Sequence, residues 1–459
     1  MYQDDNNNNQ YQDQYQSNYY DNTQQQNYGQ QDYQQNHNYD QQQDQNQQQN
    51  FDYNNVQRPD DSQRIFNPFI LDDNNEITIS VGEPVTKETT LSKHTVYNIK
   101  GTDKIGQFDV YRRFNEFYTL KEVLVARWPG CFIPSIPAKE MNSTSQNVVE
   151  NRARFLNSFC NQMARLKHLF YSEEFQQFLR SKDSDVSKHL STLKKVTTSD
   201  IIDKYQLTFP EICEQPLQSD LDIKINSWTG FLKRAIGGLK NYKDQLKTLT
   251  ELRKQLNQNF AQFNEEILPD YEKCLISEYV SNDNFALIFS NEANVGLHEF
   301  NEKFKNSKDK NSFQYLYDMV KYELRDAEAF EESIKEKELL EKKRNSVQKD
   351  LKDDEEDLNK LISGKKTIKA VFSSSEEQKK KLETKIEQFK VELKNLDNLI
   401  EIVTKIIGMV EIDRFRKEKR MTFHRVLQCV ADSEICNSMD LMQYWSQVND
   451  SSTRLLKNY

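Results

Sequence analysis

The chain has 459 residues, of which 36% are hydrophobic and 29% charged, with only 11 Gly and 9 Pro and a formal net charge of −10. That length suits two or three domains, and scarce Gly and Pro beside abundant Lys and Glu point to long helices rather than a fold of sheets and turns. No run of about 18 apolar residues occurs, so no membrane-spanning helix is expected, and residues 1–30 hold no Lys or Arg and no apolar core, so no signal peptide is expected.

Residues 1–57 contain eight Asp and no Lys or Arg, which leaves −2 on the remaining 402 residues. The acidity therefore belongs to the tail and does not exclude an anionic ligand for the rest. Residues 1–63, rich in Gln, Asn, Asp and Tyr, hold too few aliphatics to offset chain entropy and are expected to be disordered. This segment is either a bland polar tail or a recruiting, self-associating one.

The texture changes over 64–182. EITISV (76–81), HTVYNIKG (94–101) and IGQFDVYRRF (105–114) alternate or cluster β-branched and aromatic residues and predict a three-strand meander. Phe117, Leu120, Leu124 and Trp128 then recur at helical spacing, and a proline stretch PGCFIPSIPAK follows at 129–139. A second helix carries Val148, Val149, Phe155, Leu156, Phe159 and Met163, and a last short one carries Phe175, Phe178 and Leu179. Three strands followed by three helices make a compact α+β domain.

Residues 183–221 are polar with two prolines and are expected to be a linker. From 222 to 459 the pattern is helical, and only Pro269 interrupts it. Leu382, Ile386, Phe389, Leu393, Leu396, Ile400, Val403, Ile407 and Val410 step by 4 and 3 as a heptad seam. A second seam runs through Leu239, Tyr242, Leu246, Leu249, Leu256, Phe260, Phe263 and Ile267. Breaks near 281–283 and 363–375 divide the region into three long antiparallel helices, too elongated to bury much core alone, so a dimer is expected.

The chemistry centres on the strand-to-helix junction. Arg113 ends a strand and Phe114 opens a helix, where backbone donors favour anions. An arginine fork holds phosphate bidentately, and the aromatic offers a floor for a sugar-like ring. Lys139 comes off the proline loop, and Arg152 lies at the start of the next helix. Together they would make a pocket for an inositol phosphate headgroup. Arg112 alternates away from Arg113 and reads as solvated or structural. Arg154 reads as a second ligand contact or a surface charge.

R-R-F-x-x-F at 112–117, P-x-x-P-x-K at 134–139 and N-R-x-R-F-L-x-x-F at 151–159 resemble the PX domain in their order and spacing after three strands. The resemblance implies binding of phosphatidylinositol 3-phosphate, with Arg113 on the 3-phosphate, Phe114 under the inositol ring, Lys139 on the 1-phosphate side and Arg152 on the 4- and 5-hydroxyls. The family usually has Tyr at the Phe114 position, and the family's apolar membrane-inserting loop is represented here only by Met141. A PX domain, a linker and three long helices, with RFRKEKRMTFHRVLQCVADSEICNSMDLMQYW (414–445) similar to the last BAR helix, resemble the PX-BAR sorting nexins. The implied fold is an α+β PX domain followed by an all-α three-helix coiled-coil BAR domain. The implied partners are a second BAR sorting nexin, as homodimer or heterodimer, and a retromer-like coat. The implied location is cytoplasmic and peripheral on endosomal membranes.

On the concave face of such a dimer, Lys335, Lys337, Lys342, Lys343, Arg344 and Lys349 are candidates for lipid contact, as are Lys365, Lys366 and Lys369 at the tip. Each would add about 1 kcal/mol toward an anionic surface, and each has a solvated coiled-coil charge as its alternative. INSWTGFLKRAIGGLK (225–240) sets Trp228, Phe231 and Leu232 on one helical face with Lys233 and Arg234 off it. It is either an interfacial wedge or the first turns of the first BAR helix. The competing function is a PX-containing coiled-coil adaptor or tether that binds endosomal membrane without remodelling it. No G-x-x-x-x-G-K-[ST], G-x-S-x-G or H-E-x-x-H occurs, so neither an enzyme nor a cofactor is expected. The six cysteines contain no C-x-x-C and read as free thiols with no metal. No domain is strongly basic, so nucleic-acid binding is not expected.

Overall fold

The computed structural model describes residues 76–89, 92–137, 139, 145–183, 185–279, 288–289, 297, 299–300, 302, 311–363 and 375–457. The expected disordered tail, Met141 and the tip lysines Lys365, Lys366 and Lys369 lie outside them.

Three antiparallel strands, β1 (Thr78–Thr89), β2 (Ser92–Asp103) and β3 (Gly106–Arg113), form a meander in the order β1-β2-β3. Pro84, which cannot donate to the ladder, sits at a register shift between Val81 and Pro84 on the edge strand β1. At the β2–β3 turn the Asp103 carboxylate accepts from the N–H groups of Ile105 (2.8 Å) and Gly106 (3.2 Å). Helix α1 (Phe114–Arg127) follows β3 without a loop. After the proline stretch come α2 (Gln146–Arg165), α3 (Lys167–Phe170) and α4 (Glu173–Arg180). Tyr97 and Ile99 of the sheet bury against Phe117, Leu120 and Leu124 of α1, Leu156, Phe159 and Met163 of α2, and Phe175, Phe178 and Leu179 of α4. The apolar spacing in the sequence and the buried faces agree.

Residues 183–221, expected as a linker, are largely helical: α5 (Ser187–Leu193), α6 (Thr198–Thr208) and α7 (Pro210–Glu214). Val186, Leu190, Ile201, Ile202 and Tyr205 are buried, while Leu207 and Leu217 stay exposed. The polar composition reflects an exposed outer face on short helices packed by one side. A capping box at Thr197 and Asp200 starts α6.

Three arms follow. The first is α8 (Leu221–Gln262), a π turn (Phe263–Ile267) and α9 (Leu268–Tyr279). The second is α10 (Ser312–Ile362). The third is α11 (Ser375–Lys405), a π turn (Ile406–Glu411) and α12 (Ile412–Leu456). Cross-arm ion pairs fix their directions. Lys337–Asp222 (3.1 Å), Arg344–Asp397 (2.9 Å) and Lys385–Asp354 (2.6 Å) run the second arm antiparallel to the other two. Lys224–Asp413 (3.0 Å) and Arg253–Glu434 (2.6 Å) run the first and third in the same direction.

The α+β domain and the arms share one core. Phe132 of the proline stretch meets Phe330 of α10 and Phe415 of α12, at centroid distances of 6.1 and 5.3 Å. The Ser135 hydroxyl donates to Asp326 at 3.0 Å, and Lys121 pairs with Glu332 at 2.9 Å. Gly130, at φ +86°, brings its backbone so near the third arm that a Cβ there would lie 2.7 Å from Val403 Cγ1. All six cysteines are free. Among the described residues no helix is long and apolar enough to cross a membrane.

Candidate functional site

Strand alternation divides the two arginines at the end of β3. Arg112, 2% exposed, turns inward. Its guanidinium donates to the carbonyls of Phe178 (2.7 Å), Ser181 (2.6 Å) and Tyr111 (3.1 Å). Burial holds its pKa below the usual arginine value, and the carboxylates of Glu116 and Asp183 partly oppose that. It fastens β3 to α4 and has no spare donors facing solvent. Arg113 turns outward and is exposed. Its backbone is held by Glu116, the third residue of α1, whose carboxylate accepts from Arg113 N–H at 2.5 Å and Val186 N–H at 2.8 Å. This is the helix-start arrangement in which an acidic side chain reaches back to satisfy an orphan donor.

Phe114 is half-buried, and the Arg152 guanidinium lies 4.2 Å over its ring. Arg152 is 6% exposed and rests against Tyr97. Burial pushes the Tyr97 phenol up while the Arg152 charge pulls it down. Tyr118, one turn after Phe114, meets it edge-on at 5.2 Å. Its hydroxyl donates to Pro137 O at 2.7 Å, which ties α1 to the end of the proline stretch. The exposed Lys139 then places Nζ 4.4 Å over the Tyr118 ring. Phe114, Lys139 and Arg152 are thus joined through Tyr118, with Arg113 next to Phe114 in the chain. Two cationic groups lie over two aromatic faces, with the exposed Arg113 adjacent in the chain, an arrangement able to attract a polyanionic ring.

Tyr118, Tyr97 and Glu116 were not among the residues the sequence singled out. The spacing of Phe114 and Tyr118 at i and i+4, and of Arg113 and Glu116 at a helix start, carried the signal. Arg154 faces Asp318 of α10 at 3.6 Å and also donates to Asn151.

The candidate membrane residues are dispersed. Leu232 is 1% exposed, and Trp228 packs on Phe330 and Phe415 at 6.0 and 6.3 Å, so both sit within the arms. Helix α8 passes through Gly237-Gly238 unbroken. Phe231, Lys233 and Arg234 are exposed. Lys335 pairs with Glu331 (2.9 Å), Lys337 with Asp222 and Glu341, Lys343 with Glu392 (2.6 Å), and Arg344 with Asp397. Lys342 and Lys349 are exposed, as are Arg416, Lys417 and Arg420 at the start of α12.

A family model described as PX domain matches residues 101–182. Sorting nexin-8 of Homo sapiens is 31% identical over 115 residues, 25% of this chain and 24% of that protein. Sorting nexin-4 of Saccharomyces cerevisiae is 22% identical over 374 residues, 74% of this chain and 82% of that protein. The matches to sorting nexin-8 and sorting nexin-7 cover only a quarter to a third of those relatives' length. A solved structure, the cryo-EM structure of the SNX-BAR Mvp1 tetramer, superposes over 82% of this chain and 99% of its own, with a TM-score of 0.56 at 17% identity. Residues 101–182 match the PX domain, and the chain shares the fold of that SNX-BAR structure. Its strands and α1–α4 are the PX domain, and the three arms take the BAR part of the fold.

Proposed function

We propose that this chain is a sorting nexin of the PX-BAR type that binds phosphatidylinositol 3-phosphate on the cytoplasmic face of endosomes and senses or generates membrane curvature there, in protein sorting and retrograde transport. The cluster of Arg113, Phe114, Tyr118, Lys139 and Arg152 on a PX fold carries the reading. Arg113 takes the 3-phosphate, Phe114 lies under the ring, Lys139 meets the 1-phosphate and Arg152 the 4- and 5-hydroxyls. Arg152, already held over Phe114, loses little side-chain entropy when the ring arrives.

The partner is a second BAR chain, the same or another, with a retromer-like coat acting on the assembled pair. The first arm supports this. Tyr242, Leu249, Leu252, Leu256, Phe263, Ile267 and Tyr271 are all exposed, as are Phe423, Leu427, Met442 and Trp445 of the third. An apolar stripe of that length on one molecule marks a protein interface. Phe231, Lys233 and Arg234, with Lys342 and Lys349, are the membrane contacts proposed on the arms, and the tip residues Lys365, Lys366 and Lys369 join them.

The test is sedimentation of the full chain with liposomes containing phosphatidylinositol 3-phosphate, with electron microscopy of the same sample. Selective binding with narrow coated tubes is expected. No preference over phosphatidylinositol refutes the pocket. Protein bound to unchanged spheres refutes remodelling by this chain alone and supports an adaptor or tether.

A further inference from the structure

Apart from the lipid cluster, a second group of polar side chains lies where the PX domain meets the arms. Cys131 follows the Pro129-Gly130 turn, His168 is in α3, and Glu411 ends the π turn of the third arm. One ligand atom from each (Cys131 Sγ, an imidazole nitrogen and a carboxylate oxygen) lies within 4.8 Å of the others. Glu411 is 0% exposed and Cys131 1%. The Glu411 Oε2 accepts from Arg414 Nε at 3.1 Å and the Phe132 backbone N–H lies against the same carboxylate, but neither its Oε1 nor Nε2 of His168 makes a hydrogen bond of good geometry. An unpartnered buried polar group costs about 1–3 kcal/mol. Here two of them stand beside a thiol, on elements brought together from three parts of the fold.

We propose that Cys131, His168 and Glu411 form a binding site for a zinc-class divalent cation that clamps the PX domain to the third arm. The donor set selects the ion. Sulfur, imidazole and carboxylate together suit zinc, whereas calcium and magnesium take oxygen ligands. With metal–ligand bonds of about 2.0–2.3 Å, tetrahedral ligands stand about 3.3–3.8 Å apart, so the cluster has to draw in by about 1 Å. Water completes the fourth position, because the Tyr205 hydroxyl near Cys131 Sγ (3.7 Å) already donates to Pro129 O at 2.6 Å.

The charges balance. Cys131 releases its thiol proton to solvent as sulfur bonds the ion. The thiolate and the Glu411 carboxylate then neutralise the two positive charges. Arg414 keeps a second carboxylate, Glu418 at 3.1 Å, so the cation does not face an unmatched guanidinium. The backbone is shaped for the site on both sides. Gly130 permits the turn that presents Cys131 and approaches Val403, and the Ser333 hydroxyl donates to Cys131 O at 2.9 Å. The π turn ends on Glu411, and such turns within α-helices recur at functional sites.

The experiment uses the full chain, stripped with chelator, desalted, and titrated with Zn²⁺ alone against a chromophoric chelator. Co²⁺ is added to a second sample as a spectroscopic probe. The expected result is one equivalent of zinc withheld from the chelator, a rise in melting temperature, and a thiolate-to-cobalt charge-transfer band. All three should vanish in Cys131→Ser and persist in Cys274→Ser, which alters an exposed cysteine. Should Cys131→Ser fail to fold, His168→Gln and Glu411→Gln are read in the same way. No stoichiometric zinc in the wild type, or equal zinc in Cys131→Ser, overturns the proposal.

Discussion

Arg152 holds its guanidinium 4.2 Å above the Phe114 ring, so the second helix of the PX domain and the start of the first face each other across one aromatic plane. Phe114 follows the exposed Arg113 in the chain, whereas Arg112, the neighbour on its other side, is sealed among three carbonyls. Substitutions at the pair should therefore separate binding from stability. Arg113→Ala is expected to leave the melting temperature unchanged and to lower affinity for phosphatidylinositol 3-phosphate liposomes at least tenfold. Arg112→Ala strands buried acceptors and should cost on the order of 2–5 kcal/mol of stability. Thermal melts beside liposome sedimentation check both. A large loss of stability in Arg113→Ala would show that the two roles are misassigned.

Tyr118 links Phe114 to Lys139, and its hydroxyl holds the Pro137 carbonyl. Tyr118→Phe keeps the ring but frees the proline stretch. Losing one hydrogen bond of about 0.5–1.5 kcal/mol should weaken lipid binding a few-fold. Tyr118→Ala also removes the surface under Lys139 and should weaken it further. Titration of both variants with a soluble headgroup of phosphatidylinositol 3-phosphate measures this, and equal affinities in all three proteins would remove Tyr118 from the site.

The sequence disclosed the parts of this site that local rules govern. Alternation along β3 separated Arg112 from Arg113, and the junction chemistry drew attention to Phe114, Lys139 and Arg152. Arg112 could be left only as solvated or structural, because its acceptors Phe178 and Ser181 lie far along the chain. Tyr118 was not singled out because the helical spacing drew attention to Phe117, Leu120, Leu124 and Trp128 instead. The helices of 183–221 were missed because one-sided packing leaves a mostly polar composition. The seam of the first arm was legible as a period, but a period does not say which neighbour covers it, and most of its side chains are exposed. Trp228 and Leu232 show the same ambiguity, since an apolar face suits a bilayer and a bundle equally.

Lys204 supplies a pH signature of the PX-to-arm connection. Burial pulls its pKa down from 10.5 to about 8, while Glu174 pulls it back up. Its ammonium lies 4.0 Å over Trp128 and donates to Arg127 O. The folded pKa is the lower one, so the unfolded chain binds more protons between pH 8 and 10.5, and stability rises with pH across that window. Moving from pH 7 to pH 9 should add about 1 kcal/mol through this group. Lys204→Met should lack that increment. Denaturant titrations of both proteins at the two pH values test it, and parallel responses would refute the assignment.

The stripe on the first arm predicts an assembly-deficient variant. Leu252 and Leu256 are exposed on α8, so Leu252→Asp with Leu256→Asp should leave helicity intact while placing charge inside the proposed interface. Sedimentation equilibrium should give a dimer or larger species for the wild type and a monomer for the double variant. The variant should still bind phosphatidylinositol 3-phosphate, but weakly on liposomes, because a single pocket loses the effective-concentration gain of two linked ones. A variant that self-associates like the wild type would place the interface elsewhere.

Gly130 brings the proline stretch close against the third arm. Its φ of +86° is strained for a side-chain-bearing residue, and a Cβ would press on Val403 Cγ1 at 2.7 Å and Ile407 Cγ1 at 3.4 Å. Gly130→Ala combines a left-handed backbone cost of about 1–2 kcal/mol with overpacking of about 1–3 kcal/mol. The arm can recede more easily than the turn can refold, so the expected result is a looser junction. Hydrogen exchange should quicken around 128–136 and 403–411, and the melting temperature should fall by several degrees. Soluble headgroup affinity should hold, since no residue of the lipid cluster touches Gly130 or Val403 in the contacts above. Gly130→Ala with Val403→Ala removes the methyl that blocks the new Cβ. If the double variant regains none of the lost stability, the close approach is not what makes glycine necessary there.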